Sequence, residues 1–190
     1  MQRTGSQRIP SLPPGRYPWY VRLILGLQRR KYGHALEPAL IWGRLPRAFL
    51  TLTLLYRSLD RADSPVDPVL RSLIQVRVSQ INGCAFCVDL NSAAVLERHG
   101  SAEKLAALPD YASSALFSGR ERTAIGYAEA VTESSRRVDD ALFARLREHF
   151  TEQEIVELTA LIAFQNMSSK FNSALGVPAQ GFCTAGPAKR

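Results

Sequence analysis

The chain has 190 residues, enough for one well-packed domain or two small ones. Its formal charge of +7 is unevenly spread: seven Lys/Arg and no acid lie between Met1 and Lys31, and the first acid is Glu37. Three cysteines are too few for a secreted disulfide framework, and no segment reaches the ~20 apolar residues of a membrane span.

Residues 1–15, rich in Pro, Gly, Ser and Arg, read as a loose basic tail. The following "PWYVRLILGLQRRKYG" has an apolar core from Trp19 to Leu27, interrupted by Arg22. Its charges follow the apolar stretch and no Ala-x-Ala site appears, so it is not a secretory signal. The expectation is a cytoplasmic protein. Its basic arm either packs as a helix on the core or a neighbouring subunit, or touches a membrane surface or anionic partner. No nucleic-acid module is recognisable.

"LPRAFLTLTLLYRSLDR" places Phe49, Leu52, Leu55, Tyr56 and Leu59 at helical spacing. "SPVDP" breaks the chain. In "VLRSLIQVRVSQIN", Val76 and Val78 favour a strand locally, whereas the length favours a helix. "CAFCVDLNSAAVLERHG" reads as a helix stopped by Gly100. Ser118 with Glu121, and Thr151 with Glu154, form capping boxes opening two further helices. Asp139 or Asp140 can cap the segment between them. The last helix is long, apolar around much of its surface and expected to be central; Gly176 and Pro178 stop it. No alternating strands, Gly-rich phosphate loop or Gly-x-Ser-x-Gly appear. The expected fold is an all-α multi-helix bundle of seven to nine helices.

The stretch "SQINGCAFCVDLNS" holds two of the three cysteines. Asn82-Gly83 suggests a turn feeding a helix, so Cys84 and Cys87 fall at i and i+3 on one face of its first turn. Helical Cβ spacing there is about 5–6 Å, slightly beyond disulfide range, and a small shift at the helix start closes it. The helix N-terminus stabilises a thiolate, which makes a redox dithiol plausible. Two inert buried cysteines are the competing reading. Zinc lacks ligands, since only Cys183, His34, His99 and His149 remain and none forms a motif. Cys183 carries no constellation of its own. Trp19, Trp42 and Tyr56 read as core or interface aromatics rather than a cofactor box.

"RVSQINGCAFCVDLNSAA", with the downstream "ERTAIGYAEAVT" and "VDDALFARLREHFTEQEIVELTALIAFQNMSSKFNSALGVP", closely resembles the carboxymuconolactone decarboxylase / AhpD-like alkylhydroperoxidase family. The resemblance spans roughly Pro65 to Pro178. It divides the chain into a tail (1–15), an N-terminal helical extension (16–61), an AhpD-like core (62–178) and a C-terminal tail (179–190). It implies a helical homo-oligomer of two, three or six subunits, with the Cys-x-x-Cys pair in a pocket near a subunit contact. It also implies that Cys87 reacts with hydroperoxide, that Cys84 resolves the product as a disulfide, and that a partner dithiol reduces it.

Two departures stand out. The family's proton relay has a Glu twelve residues before the first cysteine and a His four after the second; here those positions hold Ser72 and Asn91. Neither is an acid or base near neutral pH, though both can hydrogen-bond in a pocket. Asp89, at i+2 from Cys87, faces elsewhere. The expectation is therefore a thiol-dependent enzyme that reduces hydroperoxides or exchanges disulfides, with a degenerate relay. The alternative is a non-enzymatic oligomer that binds a ligand or partner. A decarboxylase-type lyase fits less well, since that branch generally lacks the cysteine pair. Nothing points to haem, flavin or metal, and no cofactor is expected.

Overall fold

Nine of the fourteen residues of Pro68–Ile81 are buried, polar Arg71, Ser72, Gln75 and Ser79 among them. A helix covered on all sides shows no single apolar stripe. That is why Val76 and Val78 read ambiguously, although the segment is helical throughout. The computed structural model describes residues 7–183. Among them are nine α-helices and no strand. In order they are α1 (Trp19–Tyr32), α2 (Glu37–Trp42), α3 (Pro46–Leu59), α4 (Pro68–Ile81), α5 (Ala85–Glu97), α6 (Ala102–Ala107), α7 (Gly119–Thr132), α8 (Asp140–His149) and α9 (Glu152–Ala174).

The hub is α4, not the longer α9. One side of α4 (Leu70, Ile74, Val78) packs with Ala124 and Tyr127 of α7, Leu146 of α8, and Leu158 and Ile162 of α9. Its other side (Leu73, Val76) meets Val95 of α5, Ile125 of α7, and Leu108 and Phe117. Each fully buried Leu or Ile stabilises the fold by about 1.5–3 kcal/mol. Glu129 of α7 crosses this core, accepting hydrogen bonds from Arg77 (2.7 Å), Arg136 (2.6 Å) and Tyr111 (3.0 Å). Burial and the neighbouring Glu129 carboxylate push the Tyr111 hydroxyl up to about 12.

Helix boundaries follow local chemistry. Both expected capping boxes form, at Ser118/Glu121 and Thr151/Glu154, and Asp139, not Asp140, caps α8. At the end of α5, Gly100 N–H donates to Val95 O and His99 N–H to Leu96 O, a Schellman closure. The left-handed residue there is His99 (φ 64°), not Gly100. Gly100 is needed for space: a Cβ on it would lie 2.5 Å from Val95 Cγ1 and 2.9 Å from Val95 O.

The N-terminal helices build their own cluster from Tyr17, Val21, Leu25, Ala39 and Phe49. Of the tail expected over 1–15, residues 1–6 lie outside the described residues. Farther along it, Arg8 donates to the carbonyls of Ala174 and Leu175 at the end of α9, and Arg44 donates to Pro10 O. Among the described residues, no helix is long and apolar enough to cross a membrane.

Candidate functional site

The turn between α4 and α5 sets the position of both sulfurs. Gly83 takes φ 63°, a conformation costing other residues about 1–2 kcal/mol. Gly83 N–H then donates to Gln80 O, and Cys84 N–H to Ser79 O. Cys84 is thus the last residue of α4's C-terminal closure and also the N-cap of α5. Its backbone is extended (φ −94°, ψ 93°), so the helical i,i+3 spacing expected from the sequence does not apply. The Cα atoms of Cys84 and Cys87 are 5.3 Å apart and the sulfurs are bonded, a separation normal for a disulfide. Cys84 Sγ also accepts the Cys87 N–H at 3.2 Å.

α9 closes the site from one side. Asn172 Nδ2 donates to Cys87 Sγ at 3.3 Å. Its other side-chain atom, Oδ1, is buried without a hydrogen-bond partner. Ser173 Oγ donates to Gly83 O, and Asn82 Nδ2 donates to Asn166 Oδ1 at 2.8 Å. Asn91 is buried one turn beyond Cys87 and donates to Ser79 Oγ at 3.3 Å. Ser79 also accepts from Gln165 Nε2 (3.0 Å), which donates to Ser169 Oγ as well (2.8 Å). Asn91, Ser79, Gln165 and Ser169 thus form a buried chain of amides and hydroxyls, with no titratable group among them.

Ser72 lies elsewhere. It is two helical turns up α4 from Ser79, about 10 Å along the axis, and it donates to Pro68 O while accepting from Arg98 at 3.0 Å. Arg98 also donates to Asp60 at 2.6 Å, and Arg71 is ion-paired with the same carboxylate at 2.9 Å. Burial holds the Arg71 guanidinium below its ordinary value, against the pull of Asp60. Ser72 and Asn91 are not brought together; an ion-pair cluster occupies the first position and an amide network the second.

The disulfide is covered. Cys84 and Cys87 are 1% and 3% exposed, packed with Ile41 of α2, Phe86 and Val177, against which Leu36, Phe171 and Phe182 lean. Trp42 stacks on Phe171 with centroids 3.9 Å apart. The Asp89 carboxylate is taken up by the tail: it accepts the backbone N–H groups of Gln180 (2.8 Å), Gly181 (2.6 Å) and Cys183 (2.9 Å). Gln180 bridges back to Glu37 N and Ala35 O. Phe182 lies edge-on to Phe86 and stacks with His34. Residues 180–183 are therefore strapped across the cysteine helix; residues 184–190 lie outside the described residues.

Sequence reasoning missed Asn172, Ser79, Gln165 and Ser169. A partial signal existed: Gln165, Ser169 and Asn172 recur at i, i+4 and i+7 and so share one face of α9. No comparable signal marks the pairing of Asp89 with the tail, which depends on a turn ninety residues away.

Comparison with known proteins agrees with this architecture. The model of the carboxymuconolactone decarboxylase family matches residues 46–130. The uncharacterized protein YnjA of Escherichia coli (strain K12) is 48% identical over 180 residues, covering 94% of this chain and 98% of that one. The crystal structure of an alkylhydroperoxidase AhpD core, a peroxidase-related protein from Ralstonia eutropha JMP134, superposes with a TM-score of 0.85 at 23% identity, over 97% of this chain and 98% of that one. The debrominase Bmp8 superposes with a TM-score of 0.79 at 21% identity, over 92% and 93%. The helical hub, the Cys-x-x-Cys turn and these matches lead to one statement: the chain belongs to the carboxymuconolactone decarboxylase family.

Proposed function

We propose that this protein is a thiol-dependent redox enzyme that reduces hydroperoxides or exchanges disulfides through Cys84 and Cys87. The observation that carries the reading is the bonded pair at the N-terminus of α5, with Asn172 donating to Cys87 Sγ. Since related folds include both peroxidase-related proteins and a debrominase, the fold alone does not choose an activity, and the site residues must.

In the proposed cycle an external dithiol supplies two electrons and two protons, opening the disulfide to two thiols. The Cys87 thiolate, stabilised by the helix N-terminus and the Asn172 amide, attacks the distal oxygen of a hydroperoxide. The O–O bond breaks, an alcohol leaves with a proton, and Cys87 becomes a sulfenic acid. The Cys84 thiolate attacks that sulfur, expels water after proton uptake and restores the disulfide. Asn91 and Ser79 position the site but donate no acid. Because general acid–base help is worth roughly 10²–10⁴-fold, turnover is expected to be slow relative to a relay-equipped member. An assembly of identical subunits belongs to the same reading, and sedimentation analysis would measure its size.

One observation favours the rival reading of a non-enzymatic ligand- or partner-binding oligomer: the sulfurs are almost fully covered. Stopped-flow thiol loss separates the two. Reduced protein is mixed with cumene hydroperoxide or hydrogen peroxide at neutral pH, beside Cys87→Ser and Cys84→Ser. Loss of both thiols much faster than from free cysteine, abolished in Cys87→Ser, supports the enzyme. Loss no faster than free cysteine removes peroxide as substrate, and inertness to added disulfides as well leaves the binding reading.

A further inference from the structure

We propose that the outer face of α1 docks this protein onto an anionic lipid bilayer. The helix has two unlike sides. Val21 and Leu25 are buried in the N-terminal cluster. Trp19, Leu23 and Leu27 follow one another at four-residue steps, so they share a face, and they are 70%, 57% and 58% exposed. Exposed tryptophan and leucine on one helix side, bordered by arginines, is the composition of a helix lying in the membrane interface.

The charge pattern selects the occupant. Before Asp60 the sequence carries ten Lys/Arg against one acid, Glu37; from Asp60 onward it carries fourteen against sixteen. The net positive charge of the whole protein thus comes from the segment that bears this face. Arg22, Arg29, Arg30 and Lys31 are exposed. The guanidinium groups of Arg22, Arg29 and Arg30 have no hydrogen-bond or ion-pair partner among the described residues. Arg22 and Arg29, two turns apart, also line a cleft of about 200 Å³ between α1, Ser11 and Leu12. A second copy docked through the same α1 face would bring two such basic segments together. An anionic bilayer meets both features at once: apolar side chains enter the acyl boundary while arginines reach the phosphates. At 14 residues α1 is about 21 Å long, so it lies along the surface and does not cross.

The test is flotation of the full chain with vesicles of phosphatidylcholine alone, or with 30% phosphatidylglycerol, at low and high salt. The expected result is at least tenfold stronger partitioning to the anionic vesicles, weakened by salt. A blue shift of tryptophan emission should appear with the native chain and be absent in Trp19→Phe. Leu23→Ser/Leu27→Ser and Arg29→Glu/Arg30→Glu should each lower partitioning at least tenfold, with unchanged thermal melts, because all four side chains are exposed. Equal partitioning to both vesicles, or none, overturns the proposal. So does binding unaffected by Leu23→Ser/Leu27→Ser. A change of oligomeric state in that variant without vesicle binding assigns the face to a second copy instead. Disulfide reduction of the same samples is independent of these readouts.

Discussion

Asn172 donates its side-chain amide to Cys87 across 3.3 Å, while its carbonyl oxygen is buried with no partner. A buried acceptor left unsatisfied costs about 1–3 kcal/mol, so the residue is poorly explained by stability alone. In the reduced protein the amide N–H would face a thiolate, and the carbonyl would be free to accept a thiol, sulfenic acid or hydroperoxide proton. A hydrogen bond to a charged group is worth about 1.5–3 kcal/mol. Asn172→Leu should therefore raise the pKa of the Cys87 thiol. The check is the pH dependence of iodoacetamide alkylation of reduced Cys84→Ser protein, with and without the substitution. An unchanged profile would remove Asn172 from the chemistry.

Asp89 holds the C-terminal strap through three backbone N–H groups. A carboxylate collecting amides is a strong local anchor, and Asp89→Ala should release residues 180–183 together with Phe182. Local opening governs access to covered groups. Reduction of the disulfide by dithiothreitol should accelerate at least tenfold, while the cooperative thermal transition moves by only a few degrees. Equal reduction rates would mean that reagents reach the sulfurs by another route.

The fold was legible to the extent that its determinants are local. Capping boxes at Ser118 and Thr151 depend on residues three apart, and both form where the sequence places them. The Asn82-Gly83 turn was readable for the same reason. The rank of α4 over α9 was not, because a helix that buries its own Ser72, Gln75 and Ser79 as well as its leucines lacks the periodicity that signals burial. At the site, the pair of cysteines was visible, but its surroundings come from α9 and from the tail. Asn172 is 85 residues from Cys87, and no local rule couples them. Ser72 and Asn91 were identified only by position, and what each bonds to is set by Arg98 and Ser79 on the neighbouring helix.

The α5 terminus gives a pair of opposite stability effects. Gly100→Ala puts a methyl group 2.5 Å from Val95 Cγ1 and 2.9 Å from a carbonyl oxygen, and overpacking of that kind costs about 1–3 kcal/mol. His99 holds a left-handed conformation that glycine adopts without strain, so His99→Gly should be neutral or stabilise by up to about 1 kcal/mol. Urea denaturation of both variants measures the difference. A cost for His99→Gly as large as that for Gly100→Ala would show that the imidazole makes a contribution of its own.

Acid should loosen the attachment of α9 to the α3–α4 connection. Glu157 accepts hydrogen bonds from Arg61 (2.5 Å), Ser64 (2.8 Å) and Gln153 (3.1 Å). Burial works to raise its pKa, but these donors outweigh burial and take it down to about 2. Glu121, Glu129 and Glu154 are likewise held below the ordinary range: burial raises each, and Lys104, Arg77 with Arg136, and Thr151 with Arg120 respectively pull harder in the other direction. For a depressed carboxylate the unfolded chain binds the proton first, so stability rises with pH through the interval between the two pKa values. The contribution of Glu157 is complete above about pH 4.3, the unfolded value, and is lost as the pH falls toward 2. The unfolding free energy from urea titrations at pH 5, 4, 3 and 2 should fall steadily, and Glu157→Gln should show a shallower fall than the native protein over the same interval. Parallel curves for the two proteins would mean that Arg61 and Ser64 do not hold Glu157 ionised in the folded state.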